Sequence, residues 1–350
     1  MLAKRISAFM TMIALLGLPA SCSRQGMEAQ NKEIKIMGAG ATFPYPLYKS
    51  WIQEYHKAHT DVGILYEAVG SGEGVRRFLG QEVDFGASDA AMSDEEVAKV
   101  DRGVKFIPAT AGIIVLAYNI KGVSGVLKLP REVYVAIFNG DIKRWDDPGI
   151  KQANSGLHLP PQHIILVTRT ESSGTTYAFT NHLSAISKTW RDRGPGVGKV
   201  VRWPANSMSA RGNEGVAGRI TMTDGAIGYL EYGYAQRAGL AMAALENKAG
   251  NFVQPSPVQG QATLTNTQND IPENRRMFFP DPPGENSYPI VTYSWILLYG
   301  NYPDQRKAGA LKDFVKWGIT DGQRLSESLG YCSLPNQARE LGVKDIDEIK

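Results

Sequence analysis

Cysteine is nearly missing from this chain. Two cysteines in 350 residues are too few for a disulfide framework or a cysteine-rich zinc site. The five histidines are scattered and make weak metal-ligand material. Charge of one sign is missing too: 38 Lys and Arg stand against 35 Asp and Glu, a formal excess of +3. So small an excess gives a nucleic-acid partner little support. Glycine, at 37, and proline, at 19, are too few for collagen, and 43% hydrophobic with 21% charged residues is a globular composition that excludes a disordered chain. No internal repeat of about 20–50 residues stands out. At ~100–200 residues per domain, the length predicts two domains.

The N-terminus reads as a targeting segment. Lys4 and Arg5 precede an apolar run from Ala8 to Leu18 broken only by Thr11 and Gly17, and Ala20, Ser21 and Cys22 follow. This is the plan of a secretory signal, and about eleven apolar residues are too short to span the ~30 Å hydrocarbon core. Leu18-Pro19-Ala20-Ser21-Cys22 resembles a bacterial lipobox, with Pro19 where that pattern usually has Leu. We expect lipidation at Cys22; the alternative is ordinary signal cleavage nearby. Cleavage before Cys22 removes Lys4 and Arg5 and lowers the net charge from +3 to +1. Residues 23–33 are expected to form a polar tether, and no later stretch is long and apolar enough to cross a membrane. With Cys22 lipidated, Cys332 is left as a lone thiol, expected to be a half-buried structural residue.

Downstream, short apolar strands alternate with amphipathic helices, which argues for α/β layers with largely parallel sheet. Strands are expected at 34–37, 62–66, 83–86, 113–118, 164–167, 227–230 and 290–298. Helices are expected at 47–55, 74–79, 94–100 with Ser93 as N-cap, 131–138, 175–190, 307–317 and 323–329. The loosest segment, 247–286, is rich in Gln, Asn, Pro and Gly and is expected to hold one helix around 270–279. Trp51, Trp145, Trp190 and Trp203 are expected in the core. His56 and His59 are expected as exposed structural residues, and Arg76-Arg77 and Lys143-Arg144 as solvated faces.

One pattern recurs. Three strands run into small and hydroxyl residues and then a helix: Gly38-Ala39-Gly40-Ala41-Thr42-Phe43, Gly70-Ser71-Gly72-Glu73-Gly74, and Arg169-Thr170-Glu171-Ser172-Ser173-Gly174-Thr175. A helix N-terminus leaves its first N–H groups unpaired and carries roughly half a positive charge, so such ends bind phosphate or sulfate readily. A single turn of this kind is also an ordinary helix cap. Three together with an arginine suggest one converging oxyanion site, at the carboxyl ends of strands where α/β folds bind ligands. Other motifs fail on spacing. Phe43 stands where a third dinucleotide-binding glycine belongs. No G-x-x-x-x-G-K-[ST] loop or H-E-x-x-H pair exists, and no G-x-S-x-G surrounds Ser173.

At these turns the chain resembles the phosphate-binding proteins of high-affinity phosphate ABC transporters, the PstS family. The opening Gly38-Ala39-Gly40-Ala41-Thr42-Phe43-Pro44 carries the likeness. So do Val83-Asp84-Phe85-Gly86-Ala87-Ser88-Asp89-Ala90, Lys143-Arg144-Trp145-Asp146-Asp147, Ser173-Gly174-Thr175, Arg211-Gly212-Asn213-Glu214-Gly215 and Gly225-Ala226-Ile227-Gly228-Tyr229. The similarity runs from about residue 34 to 335. It implies a two-lobed periplasmic-binding-protein type II α/β fold, with the chain crossing twice between lobes: 34–108 plus 291–350 form lobe one and 109–290 lobe two. It implies a ligand held between the lobes by hinge closure, no cofactor and no catalysis. The implied partners are inorganic phosphate and the permease and ATPase subunits of an importer, outside the cytoplasm and by lipid anchor at a membrane.

The resemblance implies phosphate contacts from Thr42 and Phe43 in the first turn, Ser71 in the second, Asp89, and Arg169, Ser173, Gly174 and Thr175 in the third. A carboxylate beside an anion repels it unless the anion brings a proton. Phosphate near neutral pH keeps one and sulfate keeps none, so Asp89 works against sulfate, although not against arsenate. Arg169 suits a charge-assisted bidentate contact. Glu171 is expected to orient Arg169, the alternative being a solvated loop charge, and Glu73 to point outward. Ser172 stands where some members have Gly. The rival readings are another oxyanion such as sulfate or molybdate, a phosphatase-like enzyme using Ser173 or Thr175, and a structural surface protein. A phosphatase would need a base or metal cluster that the sequence does not offer.

Overall fold

Apolar strands of four to seven residues open the chain and carry helices between them. In the computed structural model, which describes residues 33–267 and 271–350, these are β1 (Ile34–Gly40), α1 (Tyr45–His56), β2 (Val62–Ala68), α2 (Ser71–Leu79), β3 (Phe85–Ser88) and α3 (Asp94–Val97). β1 pairs in parallel with both β2 and β3, the arrangement that crossover helices impose. The segment expected as a signal, Cys22 and the expected tether up to residue 32 lie outside the described residues.

β4 (Val104–Asn119) follows as a strand of 16 residues. Next come β5 (Lys128–Leu129), α4 (Arg131–Asn139), α5 (Pro148–Ala153), β6 (Ile165–Arg169), α6 (Gly174–Ile186), α7 (Lys188–Arg193), β7 (Ser207–Ala210), α8 (Gly212–Met222), β8 (Ala226–Glu231) and α9 (Tyr232–Arg237). β9 (Ala241–Met242), β10 (Ala244–Glu246), β11 (Phe252–Val253) and α10 (Pro257–Thr267) precede β12 (Val291–Tyr299), α11 (Gln305–Ile319) and α12 (Asn336–Asp347). The main sheet runs β2-β1-β3-β12-β4-β8-β6-β7, with β9 also on β4, and β11-β10-β5 form a small second sheet.

β4 is the spine. Its first part, up to Ile113, pairs antiparallel with β12, and from Ile114 it pairs antiparallel with β8. Residues 113–117 have no more than traces of exposed surface, as expected for a strand covered on both faces. At the change of partner, the Ile114 N–H donates to the Ile290 carbonyl at 2.9 Å, so the entry to β12 sits beside the middle of β4. Trp51, Trp145 and Trp190 are fully buried. Each indole N–H donates to a backbone carbonyl, of Gly322, Gly225 and Gly196 respectively, which satisfies the polar edge of a ring that buries about 150–250 Å². Trp203 is partly buried against the same core.

Five local expectations are corrected. β4 begins nine residues before 113; Pro108 and Gly112 hide its first half from a periodicity reading. The helix expected over 175–190 breaks at Ser187, whose side chain accepts from the Trp190 N–H and starts α7. No helix covers 271–279: Pro272 begins a turn there and Arg275 adopts φ +59°, which a right-handed helix excludes. The helix of this segment is α10 instead. Residues 321–329 form two 3₁₀ turns, and Cys332 is fully rather than half buried.

Candidate functional site

The three glycine-hydroxyl turns converge, and a fourth joins them. The first follows β1. Thr42 and Phe43 precede Pro44, the residue that opens α1. The Phe43 ring is buried against Tyr331, and the Tyr331 hydroxyl donates to the Phe43 carbonyl at 2.6 Å. Its ring therefore belongs to the core, and only its backbone is left for a ligand. The Thr42 carbonyl is likewise held, by the Tyr234 hydroxyl at 2.7 Å.

The second turn needs a glycine. Gly70 has φ +100°, and a Cβ there would lie 2.8 Å from Glu171 Cγ. Ser71 then starts α2, and its Oγ accepts from the Asp89 N–H at 3.2 Å. Glu73 turns back onto its own helix and pairs with Arg76 and Arg77; Arg76 also pairs with Glu82, and Arg77 with Glu67.

The third turn follows β6. Ser173 caps α6, its Oγ accepting from the Thr176 N–H at 3.1 Å. Gly174 is packed so closely that a Cβ would fall 2.4 Å from Ser71 Oγ and 2.7 Å from Asp89 Cβ; no larger residue fits without parting the turns. The Gly72 N–H donates to the Ser172 carbonyl at 3.0 Å, a further link between the second and third turns. The histidines stay away from this cluster: His56 bonds the Val62 carbonyl and His59 stacks on Tyr55.

Arg169 is the centre of the donor set. Its side chain is 1% exposed. Nε donates to Glu171 Oε1 at 2.9 Å, Nη2 donates to the same oxygen and to Thr42 Oγ1 at 3.0 Å, and Nη1 donates to Thr175 Oγ1 at 3.2 Å. Glu171 Oε1 also accepts from the Gly212 N–H at 3.1 Å. The carboxylate thus fixes the guanidinium plane and leaves its far edge to the threonines.

Asp89 is the acceptor. It follows β3, is 1% exposed, and its Oδ1 accepts from Ser294 Oγ at 2.8 Å. Burial pushes its carboxyl up to about 7, against the opposing pull of the Ser294 hydroxyl, the Arg169 charge and the hydroxyls of Thr175 and Ser71. Desolvation wins because the carboxylate has lost its water and no cation forks onto it.

Two residues that sequence reasoning missed complete the site. Asn213 opens the fourth turn, where β7 runs into α8, and its Nδ2 donates to Thr42 Oγ1 at 3.0 Å. Ser294 lies in β12 at a register shift between β12 and β4. One signal existed: Arg211-Gly212-Asn213 repeats the strand, small-residue, helix plan. Among the described residues no group of three or more His, Cys, Asp or Glu is placed to hold a metal, and no helix is long and apolar enough to cross a membrane. The arrangement is a ring of donors around one carboxylate acceptor.

Known proteins resemble this chain in sequence and in fold. The model of the PBP superfamily domain matches residues 26–321. The phosphate-binding protein PstS of Pasteurella multocida is 39% identical over 303 residues, covering 86% of this chain and 87% of the relative. The PstS protein of Methanocaldococcus jannaschii is 36% identical, covering 91% and 87%. The high-affinity periplasmic phosphate-binding protein PfluDING, solved with phosphate bound, superposes with a TM-score of 0.72 at 24% identity over 87% of this chain and 92% of that one. The phosphate-binding protein from Stenotrophomonas maltophilia gives 0.71 at 20% identity, over 89% and 93%. The fold is therefore the two-lobed periplasmic-binding type, and by its sequence the chain belongs to the PstS family of phosphate-binding proteins.

Proposed function

We propose that this chain binds inorganic phosphate outside the cytoplasm and delivers it to the permease and ATPase of an ABC importer. It is a binding protein, not an enzyme. The observation that carries this reading is Asp89: a buried acceptor set among the donors Arg169, Thr42, Ser71 and Thr175. Such a set suits a tetrahedral anion that retains a proton and disfavours one that has none. The phosphate contacts are Thr42, Phe43 through its backbone, Ser71, Asp89, Arg169, Ser173, Gly174 and Thr175.

Residues 34–108 with 291–350 form one lobe and 109–290 the other, and the anion lies between them. On that division Arg169 and Asn213 reach across to Thr42, Gly72 bonds Ser172, Lys199 pairs with Glu96, and Arg276 pairs with Asp94. These bonds support a closed arrangement, which bound phosphate stabilises further. Cys22 carries the lipid that holds the protein at a membrane, on the periplasmic or outer surface.

A thermal denaturation series tests the reading. Ligand at ~1,000 times its Kd adds ~4 kcal/mol, worth ~6 °C for a chain of this length. Phosphate is expected to raise Tm by that order and equimolar sulfate to leave it in place. Equal shifts would make it a general oxyanion binder, and no shift from phosphate would remove phosphate as the ligand.

A further inference from the structure

Asn213 is fully buried, and its amide orientation is fixed by chemistry. Its Oδ1 accepts from the Glu231 backbone N–H at 3.0 Å. A backbone N–H can only donate, so the amide oxygen must be the atom facing Glu231 and Nδ2 the atom facing the site. Nδ2 donates to Thr42 Oγ1 at 3.0 Å and, more distantly, to Thr175 Oγ1 at 3.5 Å. The Asn213 backbone N–H also donates to Thr42 Oγ1, at 3.3 Å, and Arg169 Nη2 does so at 3.0 Å.

A hydroxyl has two lone pairs and one proton. Asn213 Nδ2 and Arg169 Nη2, each at 3.0 Å, take the two lone pairs of Thr42 Oγ1, and the Asn213 backbone N–H, at 3.3 Å, only shares one of them, so the Asn213 amide is needed to fill its acceptor side. The proton is then forced away from them, and among the described residues no acceptor takes it. We propose that Asn213 is a positioning residue that holds the Thr42 hydroxyl as an obligatory donor toward the bound anion. The proposal rests on the phosphate reading and deepens it. A hydroxyl that can only donate must meet an unprotonated ligand oxygen. The ligand's proton is therefore directed to Asp89, on the acceptor side of the site. Asn213 touches no ligand in this account and acts only through Thr42.

A double-mutant cycle in the full chain, read by calorimetric titration with inorganic phosphate, tests it. Asn213→Ala is expected to weaken phosphate binding by ~10-fold or more when Thr42 is present, and by no more than ~3-fold in a Thr42→Val background, because neighbours acting through one group are non-additive. A residue with a merely structural role would cost the same in both backgrounds. Asn213→Ser keeps a hydroxyl for the Glu231 N–H and serves as the second variant if the alanine form does not fold; the same non-additivity is expected. Equal losses in the two backgrounds overturn the proposal while leaving the phosphate reading intact. A native wild-type chain that binds no phosphate sinks both.

Discussion

Asp89→Asn is expected to collapse the discrimination between phosphate and sulfate. A site built to hydrogen-bond a ligand hydroxyl rejects the analogue lacking it by about 10⁴–10⁵. In the wild type an unprotonated sulfate oxygen would face the buried Asp89 carboxylate, whose Oδ1 is already occupied by Ser294, with lone pair against lone pair. The amide removes the charge and can turn its NH₂ toward the anion. Sulfate affinity should rise by ~100-fold or more and phosphate affinity should fall, so that the ratio drops below about 10². Competitive titration of each anion against the other measures this; an unchanged ratio would remove Asp89 from the selectivity.

The same substitution changes the pH dependence of the unligated protein. The Asp89 carboxyl is raised to about 7 by burial, and the Glu231 carboxyl, buried beneath the start of α9, to about 8 for the same reason. A carboxyl whose native value is raised binds more protons folded than unfolded. Its contribution to stability is present below the ordinary carboxylate range and is lost as pH rises through the native value. Wild-type stability is therefore expected to fall between about pH 4 and 8 through these two groups, and Asp89→Asn to show a shallower fall with the Glu231 component left. Denaturant titrations at acidic and mildly alkaline pH give the two slopes.

Arg169→Met is expected to be the most damaging single change. It strips donors from Glu171, Thr175 and Thr42 at once. Glu171 Oε2 already lacks a partner, so loss of the guanidinium strands a largely buried carboxylate, a change that costs ~3–5 kcal/mol. Phosphate affinity should fall by ~10³-fold or more, since hydrogen bonds to charged groups are worth about 1.5–3 kcal/mol each. Stability and binding can be separated. Arg169→Met with Glu171→Met removes both charges and is expected to recover much of the stability while phosphate binding stays lost. Recovery of binding in the double variant would show that Arg169 serves the fold and not the anion. Arg169→Lys keeps the charge but cannot fork to three partners, and is expected to fall between the two.

What could be read from the chain follows the range of the interactions. The three turns are local: a strand end, small residues and a helix start are adjacent in sequence, so Thr42, Ser71, Ser173 and Thr175 are visible as a pattern. That they converge on one oxyanion site with an arginine could be inferred from their repetition, but which of their side chains meet at Arg169 is set by the sheet order and was supplied only by the family resemblance. Asn213 and Ser294 escaped because their partners lie 171 and 205 residues away. The first half of β4 escaped because its length depends on pairing with β12, which tolerates Pro108 where propensity alone does not. The helix expected around 270–279 failed in the opposite way. Pro272 and the left-handed Arg275 shape a turn that places Arg275 against Asp345 and Arg276 against Asp94.

Calorimetric titration of tether-free protein, stripped of endogenous anion by unfolding and refolding, with phosphate and then sulfate near neutral pH, addresses the central claim most directly. The account predicts tight one-to-one phosphate binding and no response to sulfate. Comparable binding of both anions would contradict it, because Asp89 would then not be accepting a ligand proton, and demonstrably native protein that bound neither would contradict the assignment of the site itself.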